Sequence, residues 1–325
     1  MLVLGANGRF GLAAAQAFCA AGWQVVAPLR RDPVAGMPAG VRVSTTRLED
    51  TAQLAREAAG AKVVVHAVNP VYTRWATELL PMARCGMDVA QRLGARLLLP
   101  GNVYNFGAAM PSLLREDTPQ RATTRKGTLR IALEAELAQR SANGQLRATV
   151  IRAGDFFGGG SGNWFDLAIA KSLRAGRLVY PGPTDVPHAW AYLPDLARAF
   201  VAIANRPTGA CAAFERFHFA GNTVTGDALL TGIAQAAESL GVRPASGWSR
   251  AGMPWRVIRL GGLGVPVWRE LAEMAYLWHV PHALDGRALE AAVGLPAGTA
   301  LPDALRQTLA ALGYGRHRES ITTAG

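Results

Sequence analysis

The stretch LGANGRFG, Leu4 to Gly11, decides how the rest of the chain is read. The apolar run MLVL precedes it, and the alanine-rich GLAAAQAFCAAG (11–22) follows it. A short apolar run before a glycine turn predicts a strand, and alanines at helical spacing after it predict a helix closed by Gly22. Strand, glycine turn and helix together open a βαβ unit, the context in which such a turn cradles the phosphates of a dinucleotide. Gly5 permits the tight turn, Gly8 lets the backbone approach a pyrophosphate, and Gly11 lets helix and strand pack closely. The helix start then offers unpaired N–H groups and a positive dipole end. Gly5, Asn7, Gly8, Arg9, Phe10 and Gly11 are the expected cofactor loop.

Outward from this turn, strands and helices alternate. QVVAPLR (24–30), VRVSTT (41–46), KVVVHAV (62–68), ARLLLPG (95–101) and RATVIR (147–152) read as strands. DTAQLAREAAG (50–60), with Asp50 or Thr51 as its cap, TELLPMARCGMDVAQRLG (77–94), with Pro81 at a kink, and TLRIALEAELAQRSANG (128–144) read as helices. The run VVV is β-branched throughout, as in a strand buried on both faces. Alternation of this kind predicts an α/β, Rossmann-type, doubly wound parallel sheet. After residue 160 the alternation blurs. WFDLAIAKSLRAG (164–176) reads as a helix, HAWAYLPDLARAFVAIANR (188–206) as a short strand and a helix, and FERFHFAG (214–221) as a strand. The expected organisation is a dinucleotide-binding core over 1–160 and a smaller substrate lobe over 161–325, interleaved with the last core elements. The polar end RHRESITTAG (316–325) is expected to fray, and a first strand of only three or four residues leads to the expectation of a residue or two upstream of Met1.

The net charge of +11 comes with only three lysines, Lys62, Lys126 and Lys171. The arginines are scattered, so no nucleic-acid partner is expected. Three cysteines without a CxxC argue against a zinc site or a disulfide framework, and no metal is expected. They fit a reducing cytoplasm. No apolar run spans a bilayer, and no membrane partner is expected. The second strand ends in PLRRDP (28–33). Arginine there suits the 2′-phosphate of NADP through bidentate pairing, so Arg30 and Arg31 point to NADP, while Asp32 keeps NAD open.

In order and spacing, the chain resembles the extended and atypical branches of the short-chain dehydrogenase/reductase superfamily, the NAD-dependent epimerase/dehydratase-like proteins. GANGRFG (5–11), LLLPGNVYNFG (97–107), VIRAGDFFGGG (150–160), HAWAYLPDLARAF (188–200) and PHALDGRALEAAVG (281–294) carry the resemblance. It implies hydride transfer between a nicotinamide and a small carbonyl, alcohol or sugar-nucleotide substrate. In the family a tyrosine and a lysine stand as YxxxK on a helix. Here TTRKGTLRIALEAE (123–136), registered on Glu134, puts Lys126 at the tyrosine position and Arg130 at the lysine position. Pro100 stands where a serine is expected. A desolvated lysine beside a nicotinamide can act as acid or base, so Lys126 is one candidate; Tyr104 is another, with Asn102 beside it. Lys126 and Arg130 also stand as cofactor ligands, Arg130 for ribose or phosphate or else as a partner of Glu134.

The run AVNPVYTRW (67–75) follows the fourth strand and is similar to a run in uncharacterised atypical members. Its place after the strand sets Asn69 and Pro70 over the cofactor, with Ala67 and Val68 also expected as cofactor ligands, and Tyr72, Arg74 and Trp75 in the substrate crevice. An arginine between aromatics suits a planar or anionic ligand. Asp155, Asn163 and His188 complete the expected substrate side, while Asp195 is expected to brace the fold. Relatives often form homodimers through helices near 75–92 and 126–141. The absence of YxxxK leaves a different class open, a catalytically degenerate NADP(H)-binding sensor.

Overall fold

A computed structural model describes residues 1–295 and 297–315 of the chain. The terminal segment 316–325, expected to fray, lies outside the described residues. The strands are β1 (Leu2–Leu4), β2 (Val26–Pro28), β3 (Arg42–Ser44), β4 (Val63–His66), β5 (Arg96–Gly101), β6 (Leu113–Leu114), β7 (Arg147–Arg152), β8 (Asp155–Phe157), β9 (Arg177–Tyr180), β10 (Pro187–Tyr192), β11 (Phe214–His218), β12 (Asn222–Thr225), β13 (Ser249–Gly252) and β14 (Ala283–Leu284). The α-helices are α1 (Arg9–Ala20), α2 (Thr51–Glu57), α3 (Trp75–Leu93), α4 (Arg125–Ala142), α5 (Leu193–Ala204), α6 (Gly226–Ser239), α7 (Trp255–Gly261), α8 (Pro266–Glu273), α9 (Arg287–Val293) and α10 (Leu301–Ala311).

Seven strands form the main sheet in the order β11-β7-β5-β4-β1-β2-β3, all parallel. Strand order reverses between β1 and β4, the point at which such sheets open a crevice at their carboxyl ends. Strand β4 is buried along its whole length, as its β-branched run predicts. Each fully buried valine there contributes about 1.5–3 kcal/mol relative to exposure. One core cluster, with Phe10, Phe18, Leu196 and Phe200, packs α1 and α5 on one face. Another, with Leu54, Met87, Val89 and Leu137, packs α2, α3 and α4 on the other. Asp50 caps α2 by accepting from Gln53 N at 3.0 Å. The chain turns out of α1 through Gly22 at φ +81°, a left-handed conformation that favours glycine.

The second half is interleaved, since β11 completes the main sheet and α5 lies against α1. Its other elements gather a cluster of their own around Phe157, Phe165, Trp190, Trp278, Leu229 and Leu305. A three-stranded sheet β12-β10-β8 carries Asp155 on β8 and His188 on β10. The segment expected as a helix over 164–176 is instead a π-helical turn, Phe165–Ile169, followed by a 3-10 turn, Leu173–Ala175. Asp166 takes the N–H groups of Gly162 and Asn163, at 2.7 and 2.8 Å, and the aromatic cluster draws Phe165 and Leu173 fully inward. Tertiary packing there overrides the local helical pattern.

Candidate active site

The glycine turn closes by a bond from Gly8 N to the Gly5 carbonyl at 2.9 Å, and Leu12 N reaches the Gly8 carbonyl at 2.8 Å. Gly5 sits at φ +83°, where a Cβ would lie 2.8 Å from the Ala67 carbonyl carbon. At Gly11 a Cβ would run into the Gly5 carbonyl. Gly8 differs. Its φ of −80° suits any residue, its surface is exposed, and a Cβ there would meet only the Gly5 oxygen at 3.1 Å. The fold's own objection to a side chain at this place is that single tight contact with a backbone oxygen, whereas a group lying across the helix start would demand glycine outright. Among the described residues no side chain caps α1, and no acid stands in its first turn, so its N–H groups are free for an anion. The residues present therefore fit a dinucleotide pyrophosphate.

Of this loop, Phe10 turns its ring into the core against Phe200, with centroids 4.7 Å apart, leaving only its backbone for a ligand. Arg9 reaches across to the Gly162 carbonyl, and its buried Nε has no partner among the described residues. Burial pushes the Arg9 guanidinium down, against Asp166, Tyr72 and Tyr104, whose charges favour it. Asn7 ties the turn to the loop after β2: its Nδ2 donates to the Asp32 carbonyl at 2.9 Å, and its Oδ1 accepts from Val34 N at 3.2 Å. That bond brings the exposed Arg30 and Arg31 to the side of the cradle, and among the described residues neither makes an ion pair. Ala67 N bonds to the Leu4 carbonyl at 2.9 Å, which sets Ala67, Val68 and Asn69 beside the turn.

Beyond β4 and β5 two phenols meet. Tyr72 and Tyr104 share a hydrogen bond of 2.8 Å between their hydroxyls. Burial pushes both upward, Tyr104 well above the ordinary tyrosine range; at Tyr72 the nearby Arg130 and Arg9 work in the opposite direction. Arg130 lies over the Trp75 ring, 4.9 Å from its centroid, and donates to the Pro100 carbonyl at 3.3 Å. Its buried Nε has no partner among the described residues. Burial lowers the Arg130 guanidinium, while Tyr104 and Glu134 offset that. Trp75 is buried and donates from Nε1 to the Pro70 carbonyl at 2.9 Å, so it anchors the Tyr72 loop.

Several expected site residues are engaged in bonds within the protein. Lys126 is buried, and its ammonium contacts Glu270 Oε2, Glu273 Oε2 at 2.6 Å and the Glu270 carbonyl at 3.4 Å. An ammonium has three donors, and these partners use them; Lys126 straps α4 to α8 and presents no free proton to the crevice. Arg74 is exposed and pairs with Glu78 at 3.3 Å along α3, the ordinary neighbour one turn on. Asn102 accepts from Tyr104 N at 3.1 Å, a local turn that shapes the Tyr104 loop. Asn163 accepts from Phe165 N at 2.9 Å and so starts the π-helical turn. Glu134 pairs with Arg152, at 2.6 and 3.0 Å, and not with Arg130. Asp195 accepts from Thr299 N and Oγ1, at 2.6 and 2.8 Å, in keeping with a brace.

On the far side of the crevice, His188 Nε2 lies 2.9 Å from Asp155 Oδ2, and its ring stacks on Trp278 with centroids 4.4 Å apart. Burial raises Tyr180 and Tyr276, and Asp155 adds to both shifts. Sequence reasoning missed Tyr180, Tyr276, Trp278, His282, Glu270 and Glu273. The one available signal was ELAE (270–273), two acids one turn apart after a stretch of 240–269 without any.

A glycine turn at a sheet switch point and hydroxyls beyond the next two strands belong to a Rossmann-like α/β fold. The model of the NAD dependent epimerase/dehydratase family matches residues 1–212, and the chain belongs to that family. Among solved structures it is similar to MoeE5 in complex with UDP-glucose and NAD, at 19% identity and a TM-score of 0.72, covering 96% of this chain and 98% of that one. It is also similar to the UDP-glucose 4-epimerase of Thermotoga maritima with UDP-glucose, at 14% identity and TM-score 0.73, covering 96% and 98%. The GalE-like L-threonine dehydrogenase of Cupriavidus necator matches at 20% identity and TM-score 0.72, covering 96% and 99%. These likenesses carry the fold. No curated protein matches the sequence.

Proposed function

We propose that the protein is an NAD(P)-dependent oxidoreductase or epimerase/dehydratase-like enzyme that uses Tyr104, paired with Tyr72, as its proton-transfer group. The observation that carries this reading is the 2.8 Å bond between the two hydroxyls at the carboxyl ends of β4 and β5. The bound nicotinamide supplies or accepts the hydride. Tyr104 Oη donates a proton to the substrate oxygen, and Tyr72 Oη holds the resulting phenolate by its hydrogen bond. Arg130 and Arg9 stabilise negative charge on the pair. Because burial pushes both phenols up, they stand protonated at neutral pH, which favours the direction of carbonyl reduction.

Aromatic and cationic lining supports a small carbonyl, alcohol or sugar-nucleotide substrate. Arg30 and Arg31 support NADP over NAD, with a double change to alanine lowering NADP affinity about 10–100-fold and leaving NAD unchanged. The test is NADPH and NADH consumption with a panel of aldehydes, ketones and UDP-sugars. Tyr104→Phe is expected to lower kcat about 10²–10⁴-fold with cofactor affinity retained; unchanged turnover would remove Tyr104 from the chemistry. The second reading, a cofactor-binding sensor, draws on Lys126 being held by Glu270 and Glu273. Tight cofactor binding without turnover of any panel member favours it.

A further inference from the structure

Exposed large apolar side chains gather in one place. Val257, Leu260, Leu263, Val265, Val267 and Trp268 all stand on α7, α8 and the glycine-rich turn between them. Leu260 is 72% exposed and Leu263 85%. Such a patch on a water-facing surface marks a contact site. Its charge is of one sign: residues 240–269 contain no Asp or Glu, and Arg256, Arg259 and Arg269 are exposed around the apolar tip. Among the described residues Arg256 and Arg259 make no ion pair, and Arg269 lies 3.8 Å from Glu270. The hairpin is firmly held on its inner side. Trp255 packs against Trp164, and Glu270 and Glu273 pair with Lys126. The apolar tip is thus a fixed outer face.

We propose that this hairpin, Trp255–Arg269, is a membrane-surface contact that seats the protein on an anionic lipid bilayer. Leucine, valine and tryptophan side chains enter the boundary between headgroups and acyl chains, and the arginines meet lipid phosphates and carboxylates. No described helix is long and apolar enough to cross a membrane, so the contact lies on the surface and does not span it. An uncharged apolar partner would leave the arginines without counter-charges, whereas an anionic bilayer satisfies both features. This modifies the expectation of no membrane partner. Since α8 also reaches Lys126 beside Tyr72, seating brings the crevice rim to the lipid surface.

The test is flotation of the full chain with phosphatidylcholine vesicles, with and without phosphatidylserine. The wild-type protein is expected to float with the phosphatidylserine vesicles and to lose them at high salt. The double variant Arg256→Gln/Arg259→Gln is expected to partition about 30-fold more weakly, from roughly fivefold per arginine. Leu260→Ser/Leu263→Ser is expected to lose binding while keeping the thermal midpoint and cofactor affinity of the wild type, since both residues are exposed. Wild-type protein that stays with neither vesicle overturns the proposal, as does equal flotation of the variants. A wild-type dimer in sedimentation that Leu260→Ser/Leu263→Ser dissociates, with no vesicle binding, overturns it in favour of a second copy as the occupant.

Discussion

Replacing Gly8 by alanine separates the demands of the fold from those of the cofactor. The backbone at Gly8 already has φ −80° and ψ 160°, open to alanine, and the added Cβ meets one atom of the chain, the Gly5 oxygen at 3.1 Å. Alanine is a poorer helix cap than glycine, by about 0.5 kcal/mol. It also reduces the freedom of the unfolded chain, worth about 0.4–1 kcal/mol in the opposite sense. Net stability therefore changes by less than about 1 kcal/mol. The methyl group, however, stands where a pyrophosphate must approach the helix start. Losing one charge-assisted N–H contact costs about 1.5–3 kcal/mol, a roughly 10–150-fold rise in Kd. Calorimetric titration with NAD⁺ and NADP⁺, beside a thermal melt, measures both quantities. Gly11→Ala is the contrast, since its Cβ collides with the Gly5 backbone and fold and binding fail together. Wild-type affinity in Gly8→Ala would refute the placement of the pyrophosphate and the cradle argument with it.

Lys126→Met leaves Glu270 and Glu273 without their buried counter-ion and is expected to cost about 3–5 kcal/mol in urea unfolding; turnover measured on the folded fraction stays near wild type, and its loss would return Lys126 to the chemistry. Glu134→Ala strands the fully buried Arg152 and is expected to cost a similar 3–5 kcal/mol, read as a lower urea midpoint; an unchanged midpoint would show that water reaches the arginine. Burial lowers His66, His218 and His282 to about 4 from the ordinary 6.5. The unfolded chain then binds more protons between those values, so stability is full above the unfolded value and falls as pH drops toward 4, by about 2 kcal/mol per histidine at pH 5. Urea midpoints at pH 7 and pH 5 measure this, and a His282→Gln variant should flatten the slope; equal wild-type midpoints would count against it.

The glycine turn was legible because everything that forms it is local: Gly5 and Gly11 are demanded by contacts within the turn and with its neighbouring strand. The parallel sheet was legible for the same reason, through periodicity and through the β-branched VVV of β4. The site was less so. Lys126 stands alone in an arginine-rich helix start, and only the fold reveals Glu270 and Glu273, 144 and 147 residues further on, as its partners. Tyr104 was readable as a candidate from its place after β5, but its pairing with Tyr72 depends on the turn that Trp75 anchors at Pro70. The segment after Trp164 has a helical pattern, yet Asp166 and the surrounding aromatics wind it otherwise. In each case a long-range partner outweighed a local preference.

The bonds of Asn7 to the loop after β2 involve main-chain atoms alone: the carbonyls of Arg31 and Asp32 and the N–H of Val34. The side chains at 30–32 are therefore mechanically uncoupled from the turn that holds them in place. Under the proposed function, the charge at these positions can be rewritten without disturbing the glycine turn. Under that same reading, preference between the two nicotinamide cofactors is a replaceable cassette, with Asn7 as its fixed fastening.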